Sequence, residues 1–154
     1  MSFEKVRDYF KGVGLEDRIV VFDESTATAA LAAQALGCEE SHIAKSITFK
    51  DKEGGAIMIV TSGVKKIESK KFKSVFGFRP KMLSCEEVVE SVGYHVGGVC
   101  PFLVKEGCKV YIDESLKEFE FIYPACGSEN STIKLSIPEL IEHSQAIDFV
   151  DVCK

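Results

Sequence analysis

The sequence predicts a single α+β domain over residues 1–154, with a mixed, curved or barrel-like sheet and flanking helices. Short runs rich in β-branched and aromatic residues outnumber the segments with helical periodicity, and the two kinds do not alternate regularly. Regular alternation would indicate a doubly wound parallel sheet, whereas an irregular order is typical of α+β domains. Many short strands favour a sheet that curls towards closure.

Helices are predicted where apolar residues recur at helical spacing between polar or glycine end signals. In chain order, the first helix begins after Ser2 and ends at Gly12 or Gly14. The second spans 26–36 between Ser25 and Gly37, and the third spans 69–76 before Gly77. The fourth extends from Ser84 to Gly93, and the fifth follows Ser136. In the last two, a glutamate follows the first serine by three residues, as Glu87 and Glu139. This spacing predicts a capping box, in which each residue's side chain bonds to the other's backbone N–H.

Strands are predicted where short runs of high β-propensity lie between turn signals. These runs are 19–22, 43–50, 56–61, 79–83, 108–112, 119–123, 131–135 and 146–152. The polar, glycine-containing segment 51–55 separates the second and third runs, which predicts a β-hairpin.

Composition limits the possible partners and cofactors. A net charge of −5 gives no overall attraction for a polyanion, so a nucleic-acid partner would require a local basic patch. No apolar run reaches the length of a signal-sequence core or a membrane span, so we expect a cytoplasmic protein. The six cysteines include no C-x-x-C pair and no zinc spacing. We therefore expect mostly buried thiols, with no metal and no cofactor.

Lys45 is the first residue with possible chemical importance. Side chains alternate between faces along a strand, so Lys45 shares a face with Ile47 and Phe49. Alternation alone favours a strand-end lysine that extends its ammonium to water. The alternative is a partly buried cation that binds an anionic ligand.

Two loops of small residues could form a binding pocket. In 97–101, Gly-Gly-Val-Cys-Pro, the glycines allow a sharp bend, and their N–H groups could bind a carbonyl oxygen as in an oxyanion hole. The second loop, 125–130, reads Ala-Cys-Gly-Ser-Glu-Asn. Each pattern is weak evidence by itself, because similar loops occur in many folds.

Taken in order, these features give a specific resemblance over nearly the whole chain. The sequence resembles the YbaK family and the editing domain inserted in bacterial prolyl-tRNA synthetases. The shared segments are 43–46, 94–102, 111–116, 125–128 and 134–136. The resemblance implies a closed, mixed β-barrel with flanking helices, and hydrolysis of the ester between a wrong amino acid and the tRNA 3′ adenosine.

The resemblance also implies roles for individual residues. Lys45 would hold the phosphate or ribose of the acceptor end, and Gly97 and Gly98 would act with it in catalysis. The residues assigned to the substrate pocket are Thr26, Ser46, Val99, Cys100, Pro101, Ala125, Cys126 and Gly127. Some family members have a serine where Ala125 stands and an aspartate near Thr132, and these departures bear on which amino acid is removed.

No nucleophile with an adjacent base is evident. Cys100 and Cys126 lie in the two loops, so a cysteine nucleophile is conceivable, but no histidine or helix start is placed to activate either thiol. We favour the interpretation that both are small pocket-lining residues, and that backbone donors and a positioned water cleave the ester.

A basic segment at 65–81 is the predicted tRNA-binding surface of this acidic chain. The lysines assigned to tRNA are Lys65, Lys66, Lys70, Lys71 and Lys73. A solvated helix face is the alternative interpretation.

The leading hypothesis is a deacylase acting in trans on a small amino acid carried by tRNA(Pro), with an aminoacyl-tRNA synthetase as a further candidate partner. The alternatives are a catalytically inactive tRNA-binding or regulatory module and, less well supported, a thiol-based redox protein.

Overall fold

Five α-helices and eight β-strands make up the part of the chain that the computed structural model describes, residues 2–154. The helices are α1 (Ser2–Gly12), α2 (Ala29–Leu36), α3 (Ser69–Phe76), α4 (Cys85–Ser91) and α5 (Ile137–Ser144). The strands are β1 (Ile19–Val21), β2 (Ile43–Lys50), β3 (Ala56–Ser62), β4 (Cys108–Asp113), β5 (Phe121–Pro124), β6 (Ser131–Ile133), β7 (Leu135–Ser136) and β8 (Phe149–Val150). Short 3₁₀ turns occur at Glu16–Arg18, Glu40–His42 and Glu114–Glu118.

Six of the strands form one mixed sheet in the order β7-β5-β2-β3-β4-β8. β2 and β3 are an antiparallel hairpin, while β2 pairs with β5, and β3 with β4, in parallel. β1 and β6 form a separate antiparallel pair, and a single bridge between Ala125 and Thr132 links β6 to the end of β5. The result is a curled half-barrel, and the α+β prediction is confirmed.

The central hairpin is covered on both faces. On one face, Ala44, Met58 and Val60 belong to the main core, which also contains Val6 and Phe10 of α1. On the other face, a smaller core includes Phe49, Ile57, Ile59, Phe72 of α3 and Val152 near the C-terminus. β3 is buried along its whole length, as expected for a central strand covered on both sides.

Both predicted capping boxes are present. In α4 the Ser84 hydroxyl accepts a hydrogen bond from the Glu87 N–H at 3.2 Å, and the Glu87 carboxylate accepts one from the Ser84 N–H at 3.0 Å. Ser136 and Glu139 make the same pair of bonds at the start of α5. An N-cap of this kind typically stabilises a helix by about 1 kcal/mol.

The helix predicted over 26–36 begins three residues later, at Ala29. Its N-cap is Thr28, whose hydroxyl accepts from the Leu31 N–H at 3.1 Å, and not Ser25. The Ser25 hydroxyl accepts instead from the Ala27 N–H at 3.3 Å. Thr26 therefore lies in the segment before α2, where its N–H donates to the Glu129 carbonyl at 2.6 Å.

Three predicted strands are shorter or interrupted. Segment 79–83 makes a single bridge, Phe49 with Met82, with hydrogen bonds from the Lys50 N–H to the Lys81 carbonyl and from the Leu83 N–H to the Thr48 carbonyl. Segment 131–135 divides at Lys134, whose N–H donates to the Arg18 carbonyl, so β6 and β7 belong to different sheets. Segment 146–152 contributes only β8, the two residues that pair with the end of β4.

No helix among residues 2–154 combines the length and the apolar character that crossing a membrane requires.

Candidate functional site

A cavity of about 410 Å³ lies between α2, β2, the 97–101 loop and the end of β5. Most of its wall is made of small or apolar side chains, with a few hydroxyls. The alanines and valines of the wall are Ala27, Ala29, Ala32, Ala44, Ala125, Val88, Val96 and Val99. The hydroxyl groups are those of Thr26, Thr28, Ser46, Thr48, Tyr123 and Thr132.

The 97–101 loop turns at Gly97, whose φ of +98° lies in the left-handed region that favours glycine. The next N–H, that of Gly98, donates to the His95 carbonyl at 3.0 Å and closes the turn. The sequence predicted that the Gly98 N–H could donate to a carbonyl oxygen of a ligand, but this bond occupies it. The candidate donors are therefore the N–H groups of the neighbouring residues. Within residues 2–154, the N–H groups of Gly97 and Val99 make no hydrogen bond, and both residues line the cavity.

Gly98 is where the two small-residue loops meet. A Cβ on Gly98 would lie 3.1 Å from the Ser128 Cα and 3.2 Å from the Gly127 carbonyl oxygen. Any side chain at this position would therefore force the two backbones apart by a few tenths of an ångström. Gly127 packs in turn against α1, since a Cβ there would lie 2.9 Å from the Ser2 carbonyl oxygen.

Glu129 brings a negative charge next to Gly97, which is one of the residues that line the cavity. Its carbonyl accepts from both the N–H and the hydroxyl of Thr26, at 2.6 and 3.2 Å, which fixes the loop beside α2. Its carboxylate approaches Gly97, where a Cβ would lie 4.0 Å from Oε2. Glu129 is exposed and makes no ion pair with the described residues.

Lys45 and Ser46 lie in the same stretch of β2 but on opposite faces. Ser46 is paired with Val60 and faces the main core side, where the cavity lies. Lys45 contributes to the cavity wall, but its pairing with Thr61 directs its side chain to the other face, as alternation predicted. Burial lowers the pKa of its ammonium, with Lys66 acting in the same direction and Cys153 and Glu40 opposing. No carboxylate of residues 2–154 forms an ion pair with it.

Cys100 and Cys126 are fully buried and lie behind the cavity wall. Burial raises the pKa of the Cys100 thiol to about 11, and it also raises the pKa of Cys126. Both groups are therefore thiols at neutral pH, which disfavours nucleophilic attack by either. Pro101 and Gly127, which were predicted to contact substrate, are also buried and do not line the cavity. They support the two loops instead.

The predicted residues that the structure brings together at the cavity are Thr26, Lys45, Ser46, Gly97, Val99 and Ala125. Sequence reasoning missed the wall formed by α2, α4 and the segment before α4, which includes Ala29, Ala32, Met82, Leu83 and Val88. The alanine-rich run predicted a helix, but nothing in its sequence indicated which other element the small side chains on one face of that helix would pack against.

The basic segment lies mainly on the opposite face of the sheet. α3 packs against that face through Phe72, while Lys66, Lys70 and Lys73 are exposed. Lys71 differs, because its ammonium donates at 3.0 Å to both the Asp151 carboxylate and the Cys153 carbonyl. Lys65 and Lys71 line a second cavity together with Asp113 and Asp151. Lys71 is therefore paired with Asp151, whereas Lys66, Lys70 and Lys73 make no ion pair with the described residues.

Among residues 2–154, no three His, Cys, Asp or Glu side chains converge as a metal site. The structure is an α+β domain with a cavity between a curled sheet and a glycine loop. Residues 23–143 match the model of the aminoacyl-tRNA editing domain, and the chain belongs to that family.

Two curated proteins are similar to this chain. The "Uncharacterized protein YwhH" of Bacillus subtilis (strain 168) is 44% identical over 154 residues, which is all of this chain and 98% of that protein. The "Putative Cys-tRNA(Pro)/Cys-tRNA(Cys) deacylase EbsC" of Enterococcus faecalis (strain ATCC 700802 / V583) is 26% identical over 121 residues, covering 78% of this chain and 73% of its own length.

Solved structures share the fold over almost the whole length. The crystal structure of "hypothetical protein APE2540" is 33% identical with a TM-score of 0.85, covering 97% of this chain and 99% of that one. The crystal structure of "a putative trans-editing enzyme for prolyl tRNA synthetase" is 28% identical with a TM-score of 0.87, covering 99% of this chain and 97% of that one.

Proposed function

We propose that this protein is a trans-acting hydrolase that cleaves the ester between a small, wrongly attached amino acid and the 3′ adenosine of tRNA(Pro). Membership of the editing-domain family supports ester hydrolysis on aminoacyl-tRNA. One relative is named for deacylation of Cys-tRNA(Pro), and one solved structure is named for trans-editing for prolyl tRNA synthetase. Both names support tRNA(Pro) as the tRNA that carries the wrong amino acid.

The single observation that carries the proposal is the cavity beside Gly97. Its volume of about 410 Å³ lies within the range of roughly 300–1,000 Å³ that is common for small-molecule sites. Small side chains line the wall, and its residues include Gly97 and Val99, whose N–H groups make no hydrogen bond within residues 2–154. An aminoacyl group fits this combination of an apolar pocket and nearby backbone donors.

In the proposed reaction the Gly97 and Val99 N–H groups stabilise the oxyanion that forms when a water attacks the ester carbonyl. A single donor of this kind can contribute about 2.7–4 kcal/mol to the transition state. The Glu129 carboxylate beside Gly97 attracts the substrate's α-ammonium and thereby orients the ester. The acceptor end of tRNA is the partner, and an aminoacyl-tRNA synthetase is a further candidate partner.

A panel of aminoacyl-tRNA(Pro) species tests the proposal. Alanyl, seryl, cysteinyl and prolyl esters are incubated with the protein, and loss of the ester is followed under single-turnover conditions. We expect faster loss of the small, wrong amino acids than of proline. No acceleration of any ester over the uncatalysed rate would contradict the proposal.

Two arms of the panel examine the cysteines. The Cys100→Ala and Cys126→Ala variants should each keep the deacylation rate, because both thiols are buried and uncharged. An acyl-enzyme thioester detected by mass spectrometry would restore the nucleophilic-cysteine hypothesis.

A catalytically inactive tRNA-binding module is the second candidate function. The observation that favours it is the Ala125–Thr132 bridge, which offers only a methyl group and a buried, unpartnered hydroxyl and so no acid or base for turnover. Binding of aminoacyl-tRNA without turnover of any ester in the panel would support this candidate.

A further inference from the structure

One edge of β2 is open beside the cavity. Residues 43–48 all line the cavity, although side chains alternate between the two faces of a strand, so the cavity lies along the strand's edge. β5 pairs with this edge at Ile43 and Ala44, and segment 81–83 pairs with it again from Thr48 onwards. Between these two neighbours, no other strand of the described chain lies beside residues 45–47, and the cavity occupies the gap.

The hydrogen bonds of segment 81–83 show which backbone groups of β2 point into the gap. The Leu83 N–H donates to the Thr48 carbonyl at 3.3 Å, so the backbone groups of Thr48 are directed away from β3. Every second residue of an antiparallel strand directs its N–H and C=O to the same edge, so those of Ser46 point the same way. Within residues 2–154, the Ser46 carbonyl and the Thr48 N–H have no hydrogen-bond partner. The gap therefore contains a free acceptor and, two residues further on, a free donor.

The side chain of Thr48 adds a hydroxyl at the same place. Thr48 is only 6% exposed and lines the cavity, and its hydroxyl makes no hydrogen bond within residues 2–154. This hydroxyl keeps accessible surface, whereas the Thr132 hydroxyl is fully enclosed. Because buried polar groups are nearly always satisfied, the polar groups along this edge indicate a ligand that hydrogen-bonds there.

Apolar side chains at the rim of the cavity lack protein partners. Met82 and Val96 both line the cavity, and they are 65% and 59% exposed. A cavity of about 410 Å³ also lies in the size range of sites for ligands larger than a small aminoacyl group. A nucleic-acid base combines apolar faces, which suit such side chains, with a polar edge, which suits the open strand.

The order of acceptor and donor on the strand matches adenine. On its Watson–Crick edge, adenine presents an amino donor at N6 beside an acceptor at N1, whereas guanine and hypoxanthine present an acceptor at O6 beside a donor at N1. Cytosine has the same order as adenine, but the ester that must enter the cavity is attached to the terminal adenosine.

We propose that the open edge of β2 binds the terminal adenine of the tRNA, with the N6 amino group donating to the Ser46 carbonyl and N1 accepting from the Thr48 N–H. This inference rests on the proposed function, because it concerns the adenosine of the same substrate. The Thr48 hydroxyl can donate or accept and pairs with a remaining polar group of the nucleoside. Binding of the base holds the attached ester in the cavity and so contributes to its orientation.

Three nucleotides test the proposal on wild-type protein. AMP, IMP and 7-deaza-AMP are titrated, and binding is followed by NMR through the backbone amide signals of residues 46–48. IMP places an acceptor against the Ser46 carbonyl and a donor against the Thr48 N–H, so it should bind at least about tenfold more weakly than AMP. 7-Deaza-AMP is the matched control, because it changes only N7 and should bind like AMP. Equal affinities for AMP and IMP would overturn the inference.

A proline substitution tests the strand donor itself. Thr48→Pro removes the N–H that points into the gap and takes no hydrogen bond from the β2–β3 ladder, a position where an edge strand tolerates proline. It should weaken AMP binding and reduce the preference for AMP over IMP, whereas Thr48→Val, which loses only the hydroxyl, should keep the preference. A folded Thr48→Pro with the wild-type preference would contradict the proposed contact, and the nucleotide series on wild-type protein decides the matter if the variant does not fold.

Removal of the 3′ adenosine from tRNA(Pro) identifies the source of the base. The truncated tRNA should bind about tenfold or more weakly than the intact one, and equal binding of the two would exclude the tRNA end as the occupant. The adenine site and the deacylase function fail separately. If AMP is preferred over IMP but no ester is hydrolysed, the deacylase function is wrong; if esters are hydrolysed without this preference, only the adenine site is refuted.

Discussion

Substitution of Gly98 by alanine tests whether the contact between the two loops controls the site. The added Cβ would lie 3.1 Å from the Ser128 Cα and 3.2 Å from the Gly127 carbonyl oxygen. Carbon atoms in ordinary contact are about 3.5–4.0 Å apart, so the loops must separate by a few tenths of an ångström. The φ of Gly98 is not in the left-handed region, so this contact, and not backbone strain, is the expected cause of any effect.

The expected effect on stability follows from overpacking between two backbones. Such a contact typically costs about 1–3 kcal/mol in the free energy of unfolding. In a chain of this length each kcal/mol lowers the Tm by about 2–4 °C. The larger valine should cost more and should abolish turnover, because its β-branched side chain displaces the loop further.

The expected effect on activity is comparable in free energy to the effect on stability, since each tenfold loss of rate corresponds to about 1.4 kcal/mol. Gly97 and Val99 flank the displaced residue, so their N–H groups move relative to the ester carbonyl, and a misplacement of this kind can lower the rate by roughly ten- to a hundredfold. Single-turnover deacylation and urea unfolding are measured on the same preparations.

Gly12→Ala is the matched control for this substitution. A Cβ on Gly12 meets nothing within 4 Å, and Gly12 does not have a positive φ. It should therefore keep both stability and activity. Gly98→Ala with wild-type stability would refute the contact argument, and wild-type activity in a destabilised Gly98→Ala would separate the loop contact from catalysis.

Two charge variants extend the test to tRNA. Lys45→Ala should slow deacylation of aminoacyl-tRNA much more than it changes the free energy of unfolding. The reason is that a charge-assisted contact to phosphate contributes about 1.5–3 kcal/mol, or roughly tenfold or more in affinity. Unchanged kinetics in the folded variant would remove Lys45 from the site. Reversal of the exposed Lys70 and Lys73 to glutamate should weaken tRNA binding and flatten its salt dependence while hydrolysis of aminoacyl-adenosine persists. Reversal of the exposed Lys11 and Lys52 is the charge-matched control, and an equal salt slope in both double variants would indicate that α3 is only a solvated face. Lys71 is left unchanged because its reversal would replace the ion pair with Asp151 by a repulsion.

Short-range features of the fold could be predicted from the sequence because their hydrogen bonds are local. The bounds of β2 and α3 agree with the predicted 43–50 and 69–76, and both capping boxes form as their spacing indicated. In each case the determining residues lie within one turn or one hairpin. The face of Lys45 also followed from strand alternation, which is a property of the backbone itself.

The site depended on packing between segments far apart in the chain, and only the tertiary structure decided it. Thr26 meets Glu129 across 103 residues, and Lys71 meets Asp151 across 80. Gly98 also depends on tertiary packing, because its backbone lies against the second loop. Its N–H is used within its own turn, so the free donors are the N–H groups of Gly97 and Val99. The order of small residues identified the two loops, but their packing determined which residues line the cavity. It also buried the Thr132 hydroxyl without a hydrogen-bond partner, because burial and pairing depend on what the fold places beside each group.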